Sequence, residues 1–276
     1  MQKVFTIVKA NGQTEPFYRE KLLNSLIRAG AQKSVAEEMV THIESELKDG
    51  MSTSQIYKHA FFLLRKKTSP VAVRYSLRRA VMDLGPSGFP FEDFIALILK
   101  EKGYAVKTGE RVFGGCVEHE VDVVAWNENK LIMVEAKFHN ELGIKTDLKV
   151  ALYVKARFDD LKEAKHLYGK ERDVDEAWLV TNTKFTSTAI HYAGCKGLQL
   201  IGWNYPEKDN LHNMINDSGL HPLTCLTTLT GSQKRTLLEN RIVLSKDLKN
   251  DSSPLRSLGM DDKKIQIVLD EVALFQ

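Results

Sequence analysis

What this chain lacks narrows what it can be. It has three cysteines, Cys116, Cys195 and Cys225, far apart and odd in number. No Cys-x-x-Cys pair and no Cys/His set at zinc spacing is present. That argues against a disulfide framework or a structural zinc site and favours buried, reduced thiols. No apolar run approaches the roughly 18 residues of a membrane span. The opening MQKVFTIVKANG has neither the apolar core nor the small-residue cleavage site of a secretion signal, so a soluble, cytoplasmic protein is expected. There is no G-x-x-x-x-G-K-[ST] loop, so nothing points to ATP hydrolysis. Internal repeats and low-complexity segments are also missing. A large excess of charge is missing too: the formal net charge is +3, which permits nucleic-acid binding without demanding it.

What is present is ordinary globular composition in 276 residues, enough for one large domain or two to three small ones. Basic side chains cluster locally. Residues 65 to 79 hold six and no acidic one; residues 145 to 157 hold four against one. Such runs are by default solvated helix faces.

Three regions separate. The first runs to about Leu84. VFTIVKANGQTEPF places apolar residues around an Asn-Gly turn signal and predicts a β-hairpin. Helices follow: Glu20 to Ala29, with Leu22, Leu23, Leu26 and Ile27 on one face; Ser34 to Leu47, opening on the capping box Ser34-x-x-Glu37; Ser54 to Lys66; and Val71 to Leu84, with Pro70 just inside its start. GPSGFP, residues 85 to 90, predicts a linker. Residues 91 to 205 then alternate. A helix from Phe91 closes at Gly103, and a strand begins at Tyr104. Gly114-Gly115 turns the chain into a hairpin. A helix covers Leu148 to Tyr168, and AWLVTN is a buried strand. Thr186 caps a helix that Gly197 ends, and LQLIGW is a last strand. This order predicts an α/β sheet flanked by helices. Residues 206 to 276 predict a small helical domain, its last helix from Asp261 to Leu274. The fold class expected overall is multidomain α+β and α/β.

The hairpin from His119 to Phe138, HEVDVVAWNENKLIMVEAKF, carries the chemistry. A turn at Asn127 to Lys130 sets Trp126 opposite Leu131 and therefore Asp122 opposite Glu135. Alternation puts Glu135 and Lys137 on one face with Asp122, and Val121, Val123, Ile132, Val134 and Ala136 on the other, in the core. Facing carboxylates repel, and a divalent cation such as Mg²⁺ would offset the repulsion. A lysine beside them could orient or deprotonate a water. These are parts for in-line attack on a phosphodiester; they also make a salt-bridged, solvated sheet face. By the same alternation Glu120 sits at the edge of the group, and His119 points away as a packing residue. Lys149 and Lys155, on the next helix, could meet DNA phosphates or simply be solvated.

Asp122 followed by Glu135-Ala136-Lys137 resembles the PD-(D/E)xK nuclease signature, with Val121 where Pro is usual. FEDFIALILKEKGYAV and WLVTNTKFTSTAIHYAGCKGLQLIGW resemble the opening and closing elements of Mrr-type restriction endonucleases, over about residues 91 to 205. The resemblance implies a metal-dependent endodeoxyribonuclease in which Asp122, Glu135 and the Ala136 carbonyl bind Mg²⁺ or Mn²⁺. Lys137 would position the nucleophilic water, and Glu92 would supply a further carboxylate. Glu92 also reads as an N-terminal helix carboxylate serving the macrodipole. Many Mrr-type chains have Gln where this one has Glu135. Double-strand cleavage by such a site would need a homodimer or higher homo-oligomer.

VKANGQTEPFYREKLLNSL, MSTSQIYKHAFFLL and VRYSLRRAV resemble the ATP-cone, a regulatory domain that binds ATP or dATP, over about residues 3 to 84. Lys9 and Lys21 with a helix N-terminus suit a triphosphate. Glu15 could meet the ribose or base, and Thr53 the nucleotide at the start of the third helix. Ala10 replaces the usual basic residue after the first Lys. Finally, PLRSLGMDDKK, with its L-x-x-L-G-M before a helix, loosely resembles a helix-hairpin-helix, a DNA-contacting turn, or else forms a packing appendage. The reading is an ATP- or dATP-regulated DNA endonuclease of restriction type. A junction-resolving or repair nuclease and a non-catalytic DNA-binding regulator are the alternatives.

Overall fold

The computed structural model describes residues 5–9, 12–67, 69–85, 89–141 and 143–273. The expected hairpin is present as β1 (Thr6–Val8) and β2 (Thr14–Pro16), antiparallel, with β3 (Met51–Ser52) parallel on the other side of β1. Gly12 turns the chain at φ +78°; its turn partner Asn11 lies outside the described residues. Four helices follow: α1 (Arg19–Arg28), α2 (Lys33–Glu46), α3 (Thr53–Lys67) and α4 (Ser69–Met82). Leu22, Leu23 and Leu26 of α1 pack with Met39, Ile43, Ile56 and Leu64. Ile27 was expected with them but is exposed, because the packed stripe of α1 is narrower than the apolar one. The Ser34/Glu37 capping box does not form. The helix starts behind Gln32, so Ser34 already lies inside the first turn, and Glu37 faces Lys33 at 3.9 Å instead.

Within the predicted linker, Pro86, Ser87 and Gly88 lie outside the described residues. Phe89 and Pro90 are not linker; they form the first turn of α5 (Phe89–Glu101). Nor is the junction loose. Leu77, Ala80 and Val81 of α4 and Leu84 just beyond it share one core with Phe91, Phe94, Ile98 and Leu99. A Cβ on Gly85 would lie 2.5 Å from Asn140 Oδ1 and 2.6 Å from the Phe138 ring. Only glycine lets the chain pass so close.

The central region holds β4 (Ala105–Phe113), β5 (Glu118–Trp126), β6 (Leu131–Lys137), β7 (Lys145–Thr146), α6 (Leu148–Lys162), β8 (His166–Tyr168), β9 (Lys170–Arg172), β10 (Glu176–Thr181), β11 (Lys184–Phe185), α7 (Ser187–Lys196) and β12 (Leu198–Ile201). The main sheet runs β12-β10-β6-β5-β4. β6, β10 and β12 are parallel, and β4 and β5 are antiparallel additions. Parallel neighbours need crossover helices, and α6 and α7 supply them. Both pack on one face, with Met133, Val154, Phe158 and Leu179 in a shared core. α5 covers the other face. α7 has the expected ends: Thr186 accepts from Ala189 N–H at 3.2 Å, and Gly197 stops the helix at φ +67°. α6 ends at Lys162, short of the predicted Tyr168. The remainder turns about Gly169 (φ +73°) into the β8–β9 hairpin, where the Tyr168 ring lies tilted against Trp126, 5.1 Å between centroids.

Beyond residue 206 come α8 (Leu211–Ser218), a 3-10 turn (Leu223–Cys225), α9 (Gly231–Glu239), α10 (Asp247–Asn250), α11 (Ser253–Ser257) and α12 (Asp262–Ala273). The predicted end of the last helix, Leu274, lies outside the described residues. Gly259 (φ +75°) makes the turn between α11 and α12, and Leu255, Val268 and Val272 sink into the core that α4 and α5 share. The segment packs as an integral part of the molecule. The three thiols are free, yet only Cys225 is buried; Cys116 and Cys195 are exposed, against expectation. Among the described residues no helix is long and apolar enough to cross a membrane.

Candidate active site

β6 is the middle strand of the sheet, and its carboxyl end carries Glu135, Ala136 and Lys137. The β5–β6 ladder runs from Trp126↔Leu131 to Val123↔Val134, the predicted register. There it stops. On the other side, β4 and β5 pair Thr108↔Val123 and Glu110↔Val121, leaving Gly109 and Asp122 between rungs. Gly109 stands at φ +61°. An αL glycine inside a strand marks a local kink, and strict alternation fails at it. Val123 joins the α5 core while Val121 joins the α6 core. The expectation that Val121 and Val123 share a face is therefore corrected. The kink frees the Asp122 carboxylate, and Ala136 N–H donates to Asp122 Oδ2 at 2.7 Å.

Glu135 points to the α6 face and is met by Arg157 of that helix. Arg157 also donates to the Glu120 carbonyl at 3.0 Å and to Tyr153 Oη at 2.7 Å, with its guanidinium 4.8 Å from the Tyr153 ring. Only 17% of the Glu135 side chain and 13% of the Arg157 side chain are exposed. Glu92, in the first turn of α5, completes the group. Burial pushes its carboxyl up to about 7, with Asp122, Asp93, Glu120 and Glu135 adding repulsion in that order. Burial likewise raises Glu135, helped by Asp122 and opposed by Arg157 and Lys137. Burial raises Asp122 too, against the Ala136 amide and Arg157. Lys137 is exposed beside them.

These residues offer hard carboxylate oxygens and an excess of negative charge over Arg157 and Lys137, which suits a divalent cation. Their oxygens share a neighbourhood but are not gathered at one point. Among the described residues, sets of three ligand atoms within 4.8 Å of one another lie elsewhere, at His42/Glu46/His59 and Cys116/Asp160/Glu163. Seating a cation would turn Glu135 away from Arg157.

The other expected residues divide. His119 was expected to point away as a packing residue, but it faces α6, the side to which Glu135 points, and its Nε2 lies 2.7 Å from Asp160 Oδ2 of that helix. Lys149 is exposed at the start of α6, whereas Lys155 is mostly covered and paired with Asp159, so its charge is already engaged. In the first region, Glu15 Oε2 takes both Lys9 at 2.8 Å and Lys21 at 3.2 Å. Lys9 above all holds Glu15 below the usual carboxylate range. Thr53 opens α3 and lines a separate cavity with α1 and α4. Ala10 lies outside the described residues. Sequence reasoning missed Arg157. It lies in the basic run from Lys145, but nothing in the run distinguishes the one side chain that turns inward.

Three family profiles match the chain: ATP cone domain over residues 5–81, restriction endonuclease of the Mrr catalytic type over 86–207, and AF1548-like, C-terminal over 221–274. An uncharacterized protein of Archaeoglobus fulgidus is 38% identical over 178 residues, 64% of this chain and 97% of that relative. The crystal structure of a protein of unknown function, AF1548, superposes with a TM-score of 0.56 at 34% identity, covering 68% of this chain and 97% of that one.

Proposed function

The chain belongs to the AF1548-like family, with an ATP cone ahead of its restriction-endonuclease domain, and from that premise we propose that it is a Mg²⁺-dependent DNA endonuclease of restriction type. One observation carries the reading: at the end of the central strand Glu92, Asp122 and Glu135 are half-buried together and all three are raised. Such clusters mark functional sites. Asp122, Glu135 and the Ala136 carbonyl would hold the cation, with Glu92 as a further carboxylate. When bound, Mg²⁺ (or Mn²⁺) would neutralise phosphoryl oxygens and lower the pKa of a bound water. The chain's own residues do the rest. Lys137 orients the attacking water and balances charge on the phosphorane-like transition state. The Ala136 amide fixes the Asp122 carboxylate. Arg157 holds Glu135 until a cation takes it. Lys149, exposed at the start of α6, contacts a DNA phosphate, and cutting both strands takes two chains.

The cone binds ATP or dATP through Lys9, Glu15, Lys21 and Thr53 and modulates cleavage. The test incubates plasmid and branched DNA with Mg²⁺, with and without ATP or dATP, using wild type, Asp122→Ala and Lys137→Ala. Wild type is expected to nick plasmid, and each variant to lose about 10²-fold or more. If wild type cuts nothing, or the variants cut equally well, the nuclease assignment is wrong. Preference for branched DNA would move it to a junction-resolving enzyme.

A further inference from the structure

The cavity that Thr53 lines is not confined to the cone. It holds about 410 Å³ and is walled on one side by α1, α3 and α4. Its other wall is Trp203 and Asn204, just past β12, and His212 of α8, all beyond the cone. Cavities of roughly 300–1,000 Å³ with aromatic walls and a few polar groups are typical small-ligand sites. Here the aromatic part is Trp203 and the stacked pair Tyr57/Tyr75, whose rings lie 5.1 Å apart at 12°.

The polar part is cationic. Arg28 and Arg78 line the cavity from the cone. Lys184 of β11, in the nuclease domain, is outside that lining; burial lowers its ammonium pKa, and Arg78, Lys145 and Arg28 lower it further. Burial and then Arg28 lower His212 as well, with Asp217 opposing. Among the described residues Arg28, Arg78 and Lys184 form no ion pair, whereas Arg79 is matched by Asp83 at 3.2 Å. Arg78 Nε is buried and has no hydrogen-bond acceptor. A buried donor without a partner, in a cavity of like charges, calls for an anion. The cone's own phosphate-binding candidate leads there: Lys21, Ser25 and Arg28 fall on one stripe of α1 at four- and three-residue spacing.

We propose that this cavity is a composite nucleotide site, in which a nucleoside polyphosphate held by the cone is also gripped by the nuclease domain through Trp203, Asn204 and His212. The proposal rests on the reading that the cone binds nucleotide, and adds that the receptor is unfinished without the nuclease domain. It also supplies a path to the scissile site. Met82 follows Arg78 by one turn of α4. Asn182 Nδ2 donates to Met82 Sδ at 3.0 Å and to the His139 carbonyl at 2.8 Å, and Asn182 Oδ1 accepts from His139 N–H at 2.9 Å. His139 lies two residues past Lys137. A ligand that engages Arg78 therefore acts on a helix tied to the end of the catalytic strand.

Calorimetry of the full chain with ATP tests this. Wild type, Lys21→Ala, Asn204→Ala, His212→Ala and His212→Gln are compared, with unfolding midpoints of each nucleotide-free protein. Asn204→Ala and His212→Ala are expected to weaken ATP about tenfold, Asn204→Ala without shifting the midpoint, and His212→Gln to restore part of the affinity. If Lys21→Ala weakens ATP while both nuclease-side alanine variants bind like wild type, the composite site is refuted and the cone reading stands. Failure of His212→Gln to restore any affinity refutes the polar contact from His212. If wild type binds no ATP, both readings fall.

Discussion

Two clusters of opposite charge, one on the central sheet and one on the cone hairpin, are built from the same side-chain types and behave oppositely. On the sheet, Asp122 and Glu135 share Arg157 and a nearby Lys137, Glu92 stands by with only acids around it, and burial drives all three carboxyls up. On the hairpin, one carboxylate, Glu15, serves two ammonium groups, and it is driven down. The difference lies in solvent. Lys9 and Lys21 side chains are 40% and 63% exposed, against 13% for Arg157. In water the lysines are easily parted from Glu15 and offered to a phosphate. On the sheet the charges cannot be relieved by solvent, so the site stays in need of a cation.

The sharpest way to break the comparison is to remove one cation from each cluster. Arg157→Ala leaves Glu135 buried without its partner. Breaking a buried pair costs about 3 kcal/mol or more, so at pH 8 the metal-free unfolding midpoint should fall by roughly 5–10 °C. The double variant Glu135→Gln, Arg157→Met should recover most of that loss, because no buried charge is stranded. A midpoint unchanged by Arg157→Ala would mean the sheet cluster is as solvated as the hairpin.

A second prediction uses pH. The folded-state pKa of Glu92 is about 7, against an ordinary value of 4.5. Between these values the native protein holds a proton that the unfolded chain has released. Stability must then fall as pH rises from about 4.5 to 7, and level off above. Glu135 and Asp122, also raised, act in the same direction. Thermal scans from pH 5 to 8 should show this decline in metal-free wild type and a shallower one in Glu92→Gln. Mg²⁺ should raise the midpoint at pH 8 and hardly at all at pH 5. A midpoint that climbs with pH would contradict the raised carboxyls.

The two clusters were also unequally legible in sequence. The β5–β6 register followed from alternation and one turn, and α7 from Thr186 and Gly197, because these signals are local. Gly109 was a visible signal, a glycine inside a strand pattern, but its effect on Val121 and Asp122 depends on which strand lies beside it. Arg157 was hidden because its inward turn depends on Glu135, 22 residues earlier. Ser34 misled because a capping motif works only if the helix starts at it, and α2 starts earlier, behind Gln32. Trp203 and His212 became part of a cavity only once α1, α3 and α4 had docked on the nuclease domain.

A smaller effect is expected at the junction. Asn182 ties α4 to His139 beyond Lys137, so Asn182→Ala should cut cleavage about threefold to tenfold by loosening the strand end, while ATP affinity of the cone stays within twofold. Since Asn182 is fully buried, its unfolding midpoint needs measuring alongside, and Met82→Leu, which removes only the sulfur acceptor of Asn182 at similar volume, should retain more activity than Asn182→Ala. Equal loss in both variants would point to general misfolding.

The smallest effect belongs to the hairpin and completes the contrast. Lys9→Ala removes one of two exposed partners of the half-buried Glu15 carboxylate, and Lys21 remains to take it. The unfolding midpoint should therefore not move measurably, at any pH from 5 to 8. ATP affinity should nevertheless drop several-fold, because a triphosphate loses one of its ammonium contacts. The drop should shrink as salt rises from 50 to 500 mM, since screening at the shorter Debye length weakens what Lys9 contributes in wild type. Those salts are roughly the range over which the Debye length falls from about 14 to 4 Å. If Lys9→Ala instead lowers the midpoint as much as Arg157→Ala, the hairpin cluster is a structural clamp and ceases to be the open half of the pair.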